Sequence, residues 1–425
     1  MDSLNRRNFV KGATILGAAS SVNAFEINKN VGNDKPLKIA LIGCGGRGTG
    51  AAMQALKVRK GVQLVAVADA FQDKAEAVFK RLSRHPQSKV TKENVFHGFD
   101  AYKKAIDSDC DLVILTTPPH FRPIHLEYAV GKNKHVFMEK PVAVDGPGIR
   151  SVIKSSKLAK EKGLMLACGL QRHHQFDYRE SIQRCQNGDI GNFQYAKVYW
   201  NSGGVWTRKR QEGMSEMEYQ MKNWYYFNWL CGDHIVEQHI HNLDVINWLK
   251  GTHPVSCSGM GGRQVRTGNE HGEIYDHFCT EYQYEDGTQM FSQARHIKGC
   301  NNAVEEIAYG DKGTCEFKRH QITGATDWKF KGKRVSGHQQ EWYHLIEALD
   351  KGQVYNEGIT GAEATLTAIM GRMANYSGKT VTWEQALNSK ETLAPDAYTW
   401  TGTPPTVPNA DGSYKIPTPG RYKVI

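Results

Sequence analysis

Short apolar runs recur along the first part of the chain, and the stretches between them carry helical spacing. Ile39–Ile42, Leu64–Ala68, Leu112–Thr116 and His135–Met138 are unbroken or nearly so. A run that is apolar on both faces fits a strand of a parallel sheet covered by helices on either side. Strand and helix alternate in this way from Pro36 to about Ser155, which predicts a doubly wound parallel sheet, with Leu164–Gly169 as a further strand. The character then changes. Phe193–Asn201, Cys279–Tyr284, Thr288–His296 and Val304–Tyr309 alternate or carry β-formers, and turns fall at Glu285-Asp286-Gly287 and Gly310-Asp311-Lys312-Gly313. That pattern predicts an antiparallel sheet. Gln339–Lys351 and Thr360–Tyr376 return to helical periodicity, and the tail from Ala394 is rich in Pro, Gly, Thr and Tyr, as in an extended arm lying over the body or a neighbouring subunit.

The length of 425 residues suits two substantial cores. The expected α/β organisation is a leader over 1–24, a doubly wound parallel domain over 36–165, a second α/β domain over 166–390 and an arm over 391–425. The C-terminal helices of the second domain can return to the first. Arg6-Arg7, followed by Phe9, Lys11 and the small, weakly apolar Gly12–Val22, resembles a bacterial twin-arginine signal, with Val22-Asn23-Ala24 as a cleavage site. The plainer alternative is a basic start to a cytosolic chain. That apolar stretch is too short to span a bilayer, and no later segment has the required length. A periplasmic protein without stable membrane insertion is expected.

Charge and cysteine content narrow the chemistry. The net charge of +10 is dispersed, with no long Lys/Arg run, so nucleic acid is not the expected partner. The nine cysteines lie singly, without a C-x-x-C pair, which argues against a disulfide framework or a zinc site.

Candidate chemistry begins where the first apolar run breaks directly into Gly43-Cys44-Gly45-Gly46-Arg47-Gly48, a G-x-G-x-x-G pattern, and Thr49–Lys57 can continue as a helix. Gly43 permits the tight turn, Gly45 lets backbone N–H groups approach a pyrophosphate, and Gly48 lets helix and strand pack closely. The anion then sits on the helix N-terminus. The second apolar run ends in Asp69, about twenty residues on, where a ribose-binding acid belongs. A carboxylate there favours NAD, because it repels the 2′-phosphate of NADP. A dinucleotide loaded before export is compatible with a twin-arginine route, which carries folded proteins.

Three further segments complete a resemblance to the glucose–fructose oxidoreductase/inositol dehydrogenase (Gfo/Idh/MocA) family: Thr116-Thr117-Pro118-Pro119-His120, Glu139-Lys140-Pro141, and Glu237-Gln238-His239-Ile240-His241-Asn242-Leu243-Asp244 leading into Trp248. Order and spacing match over roughly Leu37 to Trp383. The resemblance implies a Rossmann domain followed by an α/β domain with an open, mostly antiparallel sheet facing the nicotinamide. It implies cofactor contacts from the glycine loop with Gly46 and Arg47, from Asp69, Thr116, Pro118, His120, Glu139 and Lys140, and from Gln171. It also implies Lys140 as catalytic lysine and His241 as general acid/base. Glu237 stands where many members have Asp, and it either orients His241 or binds a sugar hydroxyl.

At about 100° per residue, a helix over Gly232–Leu249 puts His234, Glu237, His241 and Asp244 in one stripe, with His239 pointing away. An i, i+3, i+7 set spreads too far to ligate one ion easily, so no metal is expected. Gly169-Leu170-Gln171-Arg172-His173-His174 resembles the family segment that enters the active site, with Arg172, His173, Tyr225 and His234 as substrate candidates; plain loop packing is the competing reading. Trp200, Trp206, Trp224, Tyr225, Tyr226 and Trp229 provide aromatic faces for a sugar, for the core or for a subunit interface.

The resemblance implies an exported NAD-dependent oxidoreductase acting on a hydroxyl of a sugar or glycoside, working as a homo-oligomer. Exported α-N-acetylgalactosaminidases of the family resemble this chain in the twin-arginine start and the His-rich helix, so a redox-neutral NAD-dependent glycosidase is the alternative. A non-catalytic ligand-binding member of the fold is the third reading.

Overall fold

The computed structural model describes residues 36–424; the twin-arginine stretch and its cleavage site lie outside the described residues. The first sheet has six parallel strands, β1 (Leu37–Ile42), β2 (Val62–Asp69), β3 (Val95–His97), β4 (Leu112–Leu115), β5 (His135–Met138) and β6 (Leu166–Cys168), in the order β3-β2-β1-β4-β5-β6. Alternate residues of β1 enter two different cores. Ile39 and Leu41 pack with Ala51, Ala55 and Leu56 of the helix Gly46–Leu56 and with Trp342, Leu345 and Ile346 of the helix Gly337–Asp350. Ala40 and Ile42 face Ala105, Ile106 and Leu126 on the other side. This double burial is the physical content of an unbroken apolar run. The chain order reverses between β1 and β4, and the crevice outside their carboxyl ends is where such a sheet binds ligands.

The second sheet has nine strands: β7 (Phe193–Ser202), β8 (Ser256–Gly262), β9 (His277–Gln283), β10 (Gln289–His296), β11 (Ala303–Gly310), β12 (Gly313–Glu316), β13 (Gln321–Gly324), β14 (Trp328–Lys329) and β15 (Val381–Thr382). Its order is β14-β13-β12-β11-β7-β10-β9-β8-β15, antiparallel except where β10 runs parallel to β7. The α/β fold is therefore a Rossmann sheet followed by a mixed, mostly antiparallel sheet. The helix Gly358–Ser377 is buried along nearly its whole length; its Thr365 hydroxyl accepts from the Val142 N–H, and its Asn375 donates to the Thr280 hydroxyl on β9. The helix Gly337–Asp350 lies against the Rossmann side, where Arg59 forks onto Asp350 at 2.6 and 2.7 Å. The tail from Ala394 follows its own body: Tyr398 meets His120 at 2.8 Å, and Trp400 packs on Phe71 and Phe99.

The expected continuous helix over Gly232–Leu249 is two short ones, His234–Glu237 and Ile240–Lys250. Gly232 and Asp233 both take positive φ, so the chain enters on a turn rather than a helix. The second interruption, at Gln238-His239, turns the buried His239 onto the Ser292 hydroxyl of β10 at 2.8 Å. Missed strands are β3, only three residues long and half-buried, β8, whose Ser-Cys-Ser-Gly-Met-Gly-Gly carries almost no β-former, and the two- to four-residue strands β12 to β15. Among the described residues no helix is long and apolar enough to cross a membrane.

Candidate active site

The site starts with the backbone at the end of β1. Gly43 has φ +100°, and a Cβ built there would stand 2.6 Å from the carbonyl carbon of Thr116 at the end of β4. Gly48 is tighter: its Cβ would come within 1.9 Å of the Gly43 oxygen. The Thr116 hydroxyl donates to that same oxygen at 2.8 Å. The two strand ends at the switch point are thus locked together through glycines, and Gly45 starts the helix with no side chain capping its first N–H groups. Those donors face a cleft of about 730 Å³ lined by Gly43, Gly45, Gly46, Arg47, Gly48, Asp69, Thr116 and Pro118 among others. Size, free donors and absent Cβ atoms fit a dinucleotide.

Asp69, at the end of β2, lines this cleft. One of its oxygens accepts the Cys44 N–H at 2.7 Å and the other the Phe71 N–H at 2.9 Å, so the acid also fixes the glycine loop. Burial raises its carboxyl above the usual range, against the lowering effect of those two bonds.

The ends of β4 and β5 lie side by side, with Leu115 opposite Met138, which places Glu139 and Lys140 next to the Thr116 loop. Arg47 bridges the cleft to this point: its Nε donates to Glu139 at 2.5 Å and another nitrogen to the buried Glu341 at 2.9 Å. The mostly buried Lys140 donates from Nζ to the Glu237 carbonyl at 2.6 Å and to its carboxylate at 3.2 Å. Glu139, Lys140, Glu237 and His241 are not part of the lining of the dinucleotide cleft.

His241 is buried, with Trp200 of β7 stacked 6.2 Å away, and its Nδ1 has no hydrogen-bond partner. Burial, and then the Lys140 and Arg172 cations, push its pKa well below the ordinary imidazole value. A neutral imidazole beside a fixed ammonium can take a proton from a hydroxyl while the ammonium stabilises the charge left on oxygen. The hydroxyl of Tyr225 is likewise buried without a partner.

Other candidates fall elsewhere. His120 is turned away from the cleft onto Tyr398, enclosed by Phe121 and Trp229, and burial lowers its pKa to about 3. Gln171 is not in the cleft lining, and its side-chain oxygen is buried without a partner. Arg172 is committed to an ion pair with the fully buried Glu306, which also accepts from Asn242 at 2.5 Å and Tyr178 at 3.1 Å. His173 bonds Asp244 at 2.8 Å and stacks on Trp248. His234 is fully buried and stacked 4.2 Å from His296, off the face it would share with His241 on one helix. Among the described residues no group of three His, Cys, Asp or Glu is placed to hold a metal ion.

Sequence reasoning named Trp206 and Trp224 only as aromatic faces for a sugar, the core or an interface, and missed Arg208, Lys209, Gln211, Met214 and Lys222, which line the cleft with them. The basic run Arg208-Lys209-Arg210 after Trp206 was the available signal. It missed Asp233 too, whose carboxylate bonds the Tyr376 hydroxyl at 2.5 Å and the Tyr275 N–H at 2.9 Å, holding the turn that leads to Glu237 and His241.

A glycine-locked switch point facing a mixed sheet defines a two-part dinucleotide-dependent fold. Residues 37–170 match the profile of the oxidoreductase family with an NAD-binding Rossmann fold. These residues carry the NAD-binding Rossmann domain of that family, Gfo/Idh/MocA. The chain is 24% identical over 352 residues to scyllo-inositol 2-dehydrogenase (NAD(+)) of Bacillus subtilis, covering 80% of this chain and 94% of that one. It is 26% identical over 294 residues to 2,7-anhydro-N-acetylneuraminate hydratase of Escherichia coli, covering 67% and 68%. The aldose-aldose oxidoreductase of Caulobacter crescentus shares the fold with a TM-score of 0.66 at 18% identity, over 82% of this chain and 100% of that one.

Proposed function

We propose that this chain is an exported, NAD-dependent oxidoreductase acting on a hydroxyl of a sugar or glycoside, with Lys140 and His241 as its catalytic pair. The observation that carries the reading is the Lys140 ammonium, held by the Glu237 carbonyl at 2.6 Å at a strand end beside the cleft, with His241 kept neutral nearby. Bound NAD supplies a two-electron acceptor. His241 takes the proton of the reacting hydroxyl, Lys140 stabilises the charge growing on that oxygen, and Glu237 positions Lys140. The buried, unpartnered Tyr225 hydroxyl and the Trp200 face suit a polyhydroxylated ring, whose hydroxyls complete such groups. The buried setting of His241 and its neighbouring cations lower its pKa, so the acid limb of kcat/KM is expected to lie below the ordinary imidazole range. Similarity to dehydrogenases of inositols supports the substrate class. Arg6-Arg7 supports a periplasmic location, and the aromatic Tyr195, Phe291 and Tyr309 across β7, β10 and β11 support self-association through that sheet.

A second reading, redox-neutral glycoside cleavage, draws on the likeness to a hydratase. In it, oxidation at C3 acidifies the C2 proton, the aglycone leaves, water adds and the C3 hydrogen returns. The test is a glycoside panel with deuterium at C3, incubated in heavy water. Keto sugar with loss of the C3 label is the expected result. Free aglycone with retained C3 label and exchanged C2 would replace the first reading by the second, and bound NAD without turnover of any glycoside would sink both.

A further inference from the structure

The far wall of the dinucleotide cleft carries charge for which neither the fold nor the reaction accounts. Arg208 and Lys209 line the cleft, are exposed, and make no ion pair among the described residues. Of the other cations there, Lys74 on the Rossmann side also has no ion pair among the described residues, and the remaining two are engaged. Arg47 is taken by Glu139, Glu341 and Gln54, and Lys222 by Glu218 at 2.9 Å. Apart from the engaged Arg47, the glycine loop offers backbone N–H groups.

The wall is also held in place. The Arg208 N–H donates to Asn223 at 2.8 Å, and its guanidinium lies 4.8 Å from the Trp206 ring centre. The Val205 carbonyl accepts from Tyr226 at 3.0 Å. The C-terminal arm straps the segment down: Ser215 donates to the Trp400 carbonyl at 2.5 Å and Gln220 to the Thr406 carbonyl at 2.6 Å. Trp400 packs in turn on Phe71 and Phe99, two residues that line the Rossmann side of the cleft. Two unpaired cations on a strapped segment that lines the same cleft as a helix N-terminus complement a dianionic diphosphate.

We propose that Arg208 and Lys209 bind the diphosphate of NAD from the side opposite the glycine loop, and that the arm-strapped segment 203–224 retains the cofactor between turnovers. The proposal rests on the NAD reading of the cleft. It explains how an enzyme working away from a free NAD pool would keep its cofactor: release requires breaking contacts on both walls.

The experiment compares the full chain with Arg208→Ala/Lys209→Ala and with Arg208→Glu/Lys209→Glu, loading NADH and following its release by its fluorescence at several salt concentrations. The parent is expected to release NADH slowly, and faster as salt rises. The alanine pair should release it about tenfold faster with a flatter salt dependence, and the glutamate pair faster still. Unchanged melting temperatures without nucleotide would confirm that both variants fold. Release at the parent rate with the parent salt dependence in both variants overturns the proposal and leaves the NAD reading intact. A loss confined to NADP binding would put the charges at the 2′-position and also overturn it. A parent that binds neither NAD nor NADH would overturn the NAD reading itself.

Discussion

The two halves of the candidate site are built by opposite means. The dinucleotide cleft is made by leaving side chains out: Gly43 and Gly48 let two strand ends and a helix close to distances no Cβ tolerates, so exposed N–H groups do the binding. The acid/base end is made by putting charged and polar side chains in, buried and cross-braced, with Arg172 on Glu306, His173 on Asp244 and Lys140 on Glu237. The first design is local and tolerates drift elsewhere. The second depends on partners more than seventy residues apart, so one lost partner leaves a buried charge uncompensated.

The largest effect should come from that bracing. Arg172→Met leaves the fully buried Glu306 with only the Asn242 and Tyr178 donors. Removing one member of a buried pair costs about 3–5 kcal/mol, measured as a shift of the urea midpoint. A loss under about 1 kcal/mol would place Arg172 at the substrate after all. Next come Lys140→Met and His241→Ala, each expected to keep bound NAD while losing at least about a hundredfold in rate. Near-parent turnover in either variant would remove that residue from the mechanism.

Legibility follows the same division. The glycine loop, Asp69 and the unbroken strands are short-range signals, and the structure places them as the spacing predicts. Lys140 was findable because its motif ends a strand beside Thr116. The expected stripe of His234, Glu237, His241 and Asp244 was not, because helical periodicity assumes a continuous helix. Positive φ at Asp233 and the pull of Ser292 on His239 are tertiary facts. β8 shows the same limit: its glycine-rich run is a strand because β9 and β15 pair with it on either side.

A smaller effect sharpens the cleft half of the contrast. Gly48→Ala must move the Gly43 carbonyl or the Thr116 hydroxyl, which its Cβ would approach to 1.9 and 2.4 Å, and overpacking of this kind costs about 1–3 kcal/mol. NAD affinity should fall with it. Gly46→Ala, two residues away, meets nothing within 4 Å and stands in the helix, so it should be neutral or stabilising by about 0.5–1 kcal/mol. Equal thermal shifts for the two variants would mean that close packing is not what the loop's glycines provide.

The smallest effect concerns pH and the braced half. Burial lowers the His173 pKa, but the Asp244 carboxylate outweighs it and holds the net value above the ordinary 6.5. A histidine whose folded pKa is raised contributes stability that is fully present below the unfolded pKa and is lost as pH rises through the folded one. His173→Gln keeps a side chain able to donate to Asp244 but removes the titratable charge. The parent's advantage in melting temperature over this variant should therefore be greatest near about pH 6 and shrink by about pH 8.5. Asp233, pushed up to about 7 by burial, titrates in the same window in both proteins and cancels in the difference. An advantage that stays flat, or grows toward alkaline pH, would mean that His173 is neutral in the folded protein. The Asp244 contact would then be an ordinary hydrogen bond, and the claim that charge pairing braces this half of the site would lose one of its three members.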